Sequence, residues 1–276
     1  MTTDPLAPLL SLADVAPAVD HARDRVDQAL RHRALRRQGG RVAAEVSLRC
    51  AVASAAIEGH GYDLDAVRAG TVTDPVVQGA LRVAGELPGL ADRWSRAPRQ
   101  VLARLHVLAA RDAVPADELG RPGAAAPGDR PPVSPAGAGP GAVAAPQVSP
   151  AGGPAVGAAL GVRLDGLAAL VAGGTSAPPV LLAAVVHGEL LALRPFAGPS
   201  GVVARAAARL TLLSTGFDPR GLVAVDLGHR ERQPEYVGSA GAFATGTPDG
   251  LRSWLRHYVA AVELGADRLT QICDEI

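Results

Sequence analysis

The chain has 276 residues, enough for one large domain or two small ones. Its 27 basic residues are all arginine and balance 27 acidic ones, so there is no general electrostatic pull toward nucleic acid or anionic lipid. Aromatic residues are 3% of the chain, which excludes a surface built to stack bases and leaves the core to aliphatic side chains.

The abundance of alanine, glycine, proline and arginine, with no lysine, implies a GC-rich bacterial coding sequence. Many surface arginines then need no functional reading. Cys50 and Cys273 are the only cysteines. They sit in no metal-ligand spacing and imply no disulfide framework, which suits a cytoplasmic protein.

Residues 1–17 are punctuated by proline and read as a flexible N-terminal arm, without the basic and apolar regions of a secretory leader. From residue 18 to 276 the pattern is that of one helical domain. Residues 18–37 predict a helix with acids early and arginines late, complementing the helix dipole, and Gly39-Gly40 is expected to end it. Residues 41–58 predict a second helix, with Val42, Val46, Cys50, Ala53 and Ile57 on its buried face and Gly59 as C-terminal cap. This puts Glu58 at a helix C-terminus, where the dipole disfavours negative charge. Either it is a solvated terminal glutamate, or a cation holds it.

A short helix is expected from Asp63. Another spans 74–87, with Asp74 as N-cap and Pro75 at the first position, before a loop at Pro88-Gly89. Residues 98–112 form an amphipathic helix with His106 beside its inner face; such histidines are packed and hydrogen-bonded in most proteins. Residues 121–157 are a proline-, glycine- and alanine-rich low-complexity insertion, too poor in buriable side chains to offset its ordering entropy. A helix returns at 162–172.

Residues 179–193 are apolar except for His187, Gly188 and Glu189. The run is too short to span a membrane, and a helix apolar all round is buried all round. It is therefore the expected spine of the fold. The turn Arg194-Pro195-Phe196-Ala197-Gly198-Pro199 follows, with Ser200 as N-cap of a helix over 201–214. Residues 217–247 read as loop with a short helix near 234–243, and residues 249–275 as a long final helix.

The turn is the candidate site. A glycine-flanked helix start presents free N–H groups and a positive dipole end, a ready anion site, with Arg205 one turn in. Most such turns merely connect two helices. Yet RPFAGPSGVVAR, residues 194–205, resembles the Fic-family signature HPFxDGNGRxxR. The resemblance extends to His187 in the lead-in and to the closing helix with Trp254 and Tyr258. It also covers GHRERQPEYVGSA and, at Ser54 to Gly59, the inhibitory motif [ST]xxxE[GN].

The resemblance implies an all-α bundle around a buried central helix and transfer of AMP from ATP to a target hydroxyl. In that family the motif histidine is the base, the acidic residue holds magnesium, the glycine turn and arginines bind phosphates, and a β-hairpin flap clamps the target. In inhibited members a glutamate pairs with the last motif arginine.

Carried over by position, Arg194 stands at the base and stays protonated, so it cannot accept a proton. Gly198 stands at the acid and offers magnesium no ligand. Pro199 removes an N–H from the anion nest. Ser200 replaces asparagine, and Val202 replaces the first arginine. Phe196, Gly201 and Arg205 remain. The flap would fall at 121–157, where only the low-complexity tract stands.

The nucleotide-binding candidates are thus Phe196, Gly198, Ser200, Gly201 and Arg205, with ATP as the implied ligand and no metal site. The inhibitory candidates are Ser54, Glu58 and Gly59, with Glu58 expected to pair with Arg205. Three readings follow: a catalytically silent Fic protein serving a protein target or regulatory partner; a transferase with a rearranged site; or a structural helical protein without a ligand. None involves nucleic acid or membrane, and the oligomeric state is open.

Overall fold

A computed structural model describes residues 4–123 and 158–276. Among them every regular element is helical and there is no strand, as the sequence predicts. Residues 124–157, most of the low-complexity tract, lie outside the described residues.

The N-terminal stretch is anchored where the sequence suggested a loose arm. A 3-10 turn spans Ala7–Ser11, Leu6 is buried, and the Asp4 carboxylate accepts bonds from the hydroxyls of Thr175 (2.7 Å) and Ser176 (2.6 Å). Helix α1 (Val15–Leu30) buries Val15, Val19, Ala22, Val26 and Ala29, one stripe at three- and four-residue spacing. It lies along α12 (Pro248–Glu275), whose stripe of Trp254, Leu255, Tyr258, Val262, Leu269 and Ile272 is the one predicted.

Two boundaries differ from the sequence reading. Gly39-Gly40 opens α3 (Gly39–Ile57) instead of closing the helix before it, and a one-turn helix, α2 (Ala34–Arg37), intervenes. The Pro88-Gly89 pair lies inside α5 (Pro75–Trp94). Proline there costs one backbone bond and a local clash. Burial of Leu87, Leu90 and Trp94 carries the helix through, and the Trp94 indole N–H is fixed on Thr211 Oγ1 at 2.9 Å. Asp74 caps α5 as expected, and Asp63 caps the short α4 (Leu64–Arg68).

Helix α6 (Pro98–Ala110) pairs with α5, and α7 (Ala158–Gly173) covers α6. Helix α8 (Pro179–Leu193) is the spine. Leu182, Val186, Leu190 and Leu193 face a core shared with α5, α6 and α9 (Ser200–Ser214), while Val180, Leu181, Ala183 and Ala184 face a second core with α1, α3 and α12. The segment read mostly as loop holds two helices, α10 (Val225–Glu231) and α11 (Gln233–Phe243). Only α11 was legible. Helix α10 buries Asp226 and His229, and polar residues facing the core defeat apolar periodicity.

Candidate functional site

Three elements converge on the turn. Helix α3 delivers Ser54 and Glu58 from its last turn. Gly59, at φ +94°, ends it in a Schellman arrangement: Gly59 N–H bonds Ala56 O and His60 N–H bonds Ala55 O, both at 3.0 Å. Helix α8 ends at Arg194, which takes the left-handed conformation (φ 42°) that non-glycine residues rarely adopt. Helix α9 then starts at Ser200. Ser200 is the first helical residue and not the N-cap; its hydroxyl is buried and bonds nothing in the described chain.

The turn is clamped from α6. The His106 ring stacks on Phe196, centroids 4.6 Å apart and planes 18° from parallel. Gly120 N–H donates to His106 Nδ1 at 2.9 Å. That leaves the proton on Nε2, which donates to Ala197 O at 2.9 Å. Burial holds this histidine below its ordinary pKa, in keeping with a neutral ring. Gly123 N–H also bonds Pro195 O at 2.8 Å. Phe196, Pro195 and Ala197 are thereby packed inside and only Gly198 of the turn is exposed.

Arg205 lies one turn into α9 with 2% of its side chain exposed, and it is fully engaged. Its Nη2 donates to Glu58 Oε1 at 2.8 Å and to Ser54 O at 2.9 Å. Its Nε donates to Ser54 Oγ at 2.8 Å, and its Nη1 to the Tyr236 hydroxyl at 3.1 Å. Asp226 Oδ1 stands 3.8 Å from Nε, and Arg209 Nη1 is 3.6 Å from Asp226 Oδ2. Burial opposes a charge here, but Tyr236, Glu58 and Asp226 more than offset it and hold the guanidinium above its ordinary pKa.

Glu58 resolves its own anomaly. It sits at an unfavourable helix C-terminus, yet its carboxylate lies over the start of α9, a favourable N-terminus. A Cβ at Gly201 would come 2.1 Å from Glu58 Oε1, so glycine is required for this contact. The place where an anion would meet the α9 dipole is taken by the protein's own carboxylate.

Behind Arg205 is a buried polar cluster. The Tyr236 hydroxyl is 3.1 Å from His187 Nε2, and His229 Nδ1 is 3.1 Å from His257 Nε2. Burial pushes His187 and His229 well below the ordinary histidine range, and His257 down to about 4. A cavity of about 10 Å³, room for one water, opens between Cys50, Ser54, Arg209 and Asp226. Burial raises the Cys50 thiol to about 12, so it is no nucleophile.

The Fic-1 fragment from C. elegans superposes with a TM-score of 0.65 at 21% identity, over 96% of this chain and 74% of that one. This is the Fic fold. A variant of the same worm fragment (TM-score 0.61, 20% identity) matches over the same shares of both chains. A Fic family protein from Desulfovibrio desulfuricans G20 gives 0.67 at 20% identity, over 92% of this chain and 74% of that one. No family model and no curated protein matches the sequence.

On the Fic fold, the residues singled out from sequence divide into two groups. Ser54, Glu58, Gly201 and Arg205 meet in one contact, while Gly59 only ends the helix that delivers the first two. Arg194, Phe196, Gly198 and Ser200 line the adjoining turn, Phe196 as a packed anchor. At Gly198 no side chain is available to hold magnesium, and the described residues contain no cluster of histidine, cysteine and acidic side chains fit for a metal. His187, the lead-in histidine, is wholly buried. Sequence reasoning missed Asp226, which lies in the unrecognised α10. It also missed the clamp formed by His106. Tyr236 was present in a matched segment, but nothing there pointed to its bond with Arg205.

Proposed function

We propose that this chain is a degenerate member of the Fic family, without AMP-transfer activity, that acts as a regulatory or protein-binding module. The observation that carries the reading is the state of Arg205. The one motif arginine left to bind phosphate is buried and already bonded to Ser54, Glu58 and Tyr236.

The other losses point the same way. Arg194 cannot accept a hydroxyl proton, and losing a general base alone removes roughly two to four orders of magnitude in rate. Without an acidic residue at position 198 the residues do not fit magnesium. Residual nucleotide binding has one observation in its favour, the unbonded buried Ser200 hydroxyl at the helix start beside Glu58. A phosphate would have to displace the Glu58 carboxylate to reach it.

Calorimetric titration with ATP, with and without magnesium, compares the natural chain with Glu58→Gly. The expectation is no heat for the natural chain and weak, magnesium-independent binding for the variant. Incorporation of labelled AMP into any protein by the natural chain would refute the reading.

A further inference from the structure

Helix α3 carries Glu58 at one end. At its other end, roughly 27 Å away by helical rise, the surface has a different character. Arg31, Arg33, Arg36, Arg37 and Arg41 fall within eleven residues around α2, and all five are exposed. Arg220, also exposed, joins them, its Nη2 reaching Leu35 O at 3.4 Å.

Elsewhere exposed arginines are mostly paired with acids, as with Arg68–Asp65, Arg163–Glu189 and Arg256–Asp14. The six around α2 have no acidic partner among the described residues; Arg41 bonds only Gln38. An arginine-rich genome explains many arginines, but not six unpaired ones gathered on one knob of a chain with no net charge.

We propose that the arginine knob around α2 is the docking face for a short acidic segment of a partner protein. Arginine forks bind carboxylates in bidentate fashion, and unpaired exposed ones need no prior rupture of an ion pair.

Three features decide against other polyanions. The knob is rimmed on one side by exposed acids at the end of α12: Asp274, which stands 3.2 Å from His32, and Glu275, which pairs with Arg49. An extended anionic surface, a duplex or a bilayer, would press against that rim, while a short peptide avoids it. No large exposed apolar side chain lies there to enter a membrane; Val162, the one such residue described, is on α7. No exposed aromatic ring is present for stacking, since the neighbouring Phe217 is buried beneath Arg23.

This inference names the partner chemistry of the proposed binding module and rests on that reading. The two fail separately, because AMP incorporation is measured without the peptide.

The test uses the full chain with a labelled polyglutamate peptide, a DNA duplex and phosphatidylserine vesicles, read by fluorescence anisotropy and co-sedimentation. Peptide binding is expected at low salt. It should weaken by more than about tenfold in Arg31→Glu/Arg33→Glu/Arg36→Glu/Arg37→Glu, each exposed pair being worth up to several-fold. It should also fall as salt shortens the screening length. Arg93→Glu/Arg96→Glu, which reverses two other exposed and unpaired arginines, should bind as the natural chain does.

Circular dichroism confirms that the variants fold, and the salt series on the natural chain stands even if one does not. The proposal is overturned if the peptide does not bind, if the fourfold variant binds it unchanged, if salt has no effect, or if duplex or vesicles bind more tightly.

Discussion

At the scale of single residues, the centre of the molecule is an ion pair whose two members differ in solvation. Arg205 is sealed in, while Glu58 keeps 23% of its side chain exposed. Removing one member of a buried pair costs more than the pair is worth, because the other charge is stranded. Arg205→Ala leaves Asp226 to Arg209 alone, strands the partly buried Glu58 carboxylate and takes the donor from Ser54 and Tyr236, so a loss of about 3–5 kcal/mol in urea denaturation is expected. Glu58→Ala leaves Arg205 its bonds to Ser54 and Tyr236 and should cost only about 1–2 kcal/mol. The reverse order would mean that Glu58, and not the network behind Arg205, holds the arginine.

Gly201 offers a sharper residue-scale test. Alanine in a helix is ordinarily favoured over glycine by up to about 1 kcal/mol. Here its Cβ would meet Glu58 Oε1 at 2.1 Å, so Gly201→Ala should destabilise the natural chain. In a Glu58→Gly background only Arg205 Nη1, 3.2 Å from the added Cβ, remains in the way, so the same change should cost less. An equal cost in the two backgrounds would place Glu58 elsewhere. The sequence made the pairing of Glu58 with Arg205 legible, because both ends lay in short motifs. It hid Asp226 and Tyr236 as partners, because a buried polar contact across long sequence separation leaves no periodic trace.

At the scale of elements, apolar pattern gave the spine α8, the stripe of α12 and the existence of most helices. It failed where packing overrode local preference. Proline 88 stays inside α5 because the residues after it are buried, and α10 forms although two of its inward residues are Asp226 and His229. The clamp on the turn was also invisible, since it joins His106 to Ala197 and Gly120 through backbone groups. His106→Ala leaves that carbonyl and that N–H unpaired and uncovers Phe196. A loss of about 2–4 kcal/mol is expected, with faster hydrogen exchange at Gly120. Protection at Gly120 equal to that of the natural chain would show that the segment after α6 is held by other contacts.

At the scale of the whole molecule, three neutral histidines lie together where α8, α10 and α12 meet. His187, His229 and His257 are each held below the ordinary pKa near 6.5, first by burial and then by neighbouring cations or one another. A histidine with a depressed folded pKa binds its proton more readily when unfolded. Its contribution is therefore whole above the unfolded pKa and is lost as pH falls from about 6.5 toward the folded value. Three such groups give a slope of about 4 kcal/mol per pH unit within that window. Accumulated over the window, that loss is large against the entire stability of many domains. Urea midpoints measured from pH 7.5 to 4.5 should fall steeply below 6.5, and His257→Phe should flatten the slope by about a third. Midpoints that stay level down to pH 5 would mean that the cluster admits protons, or water, without unfolding.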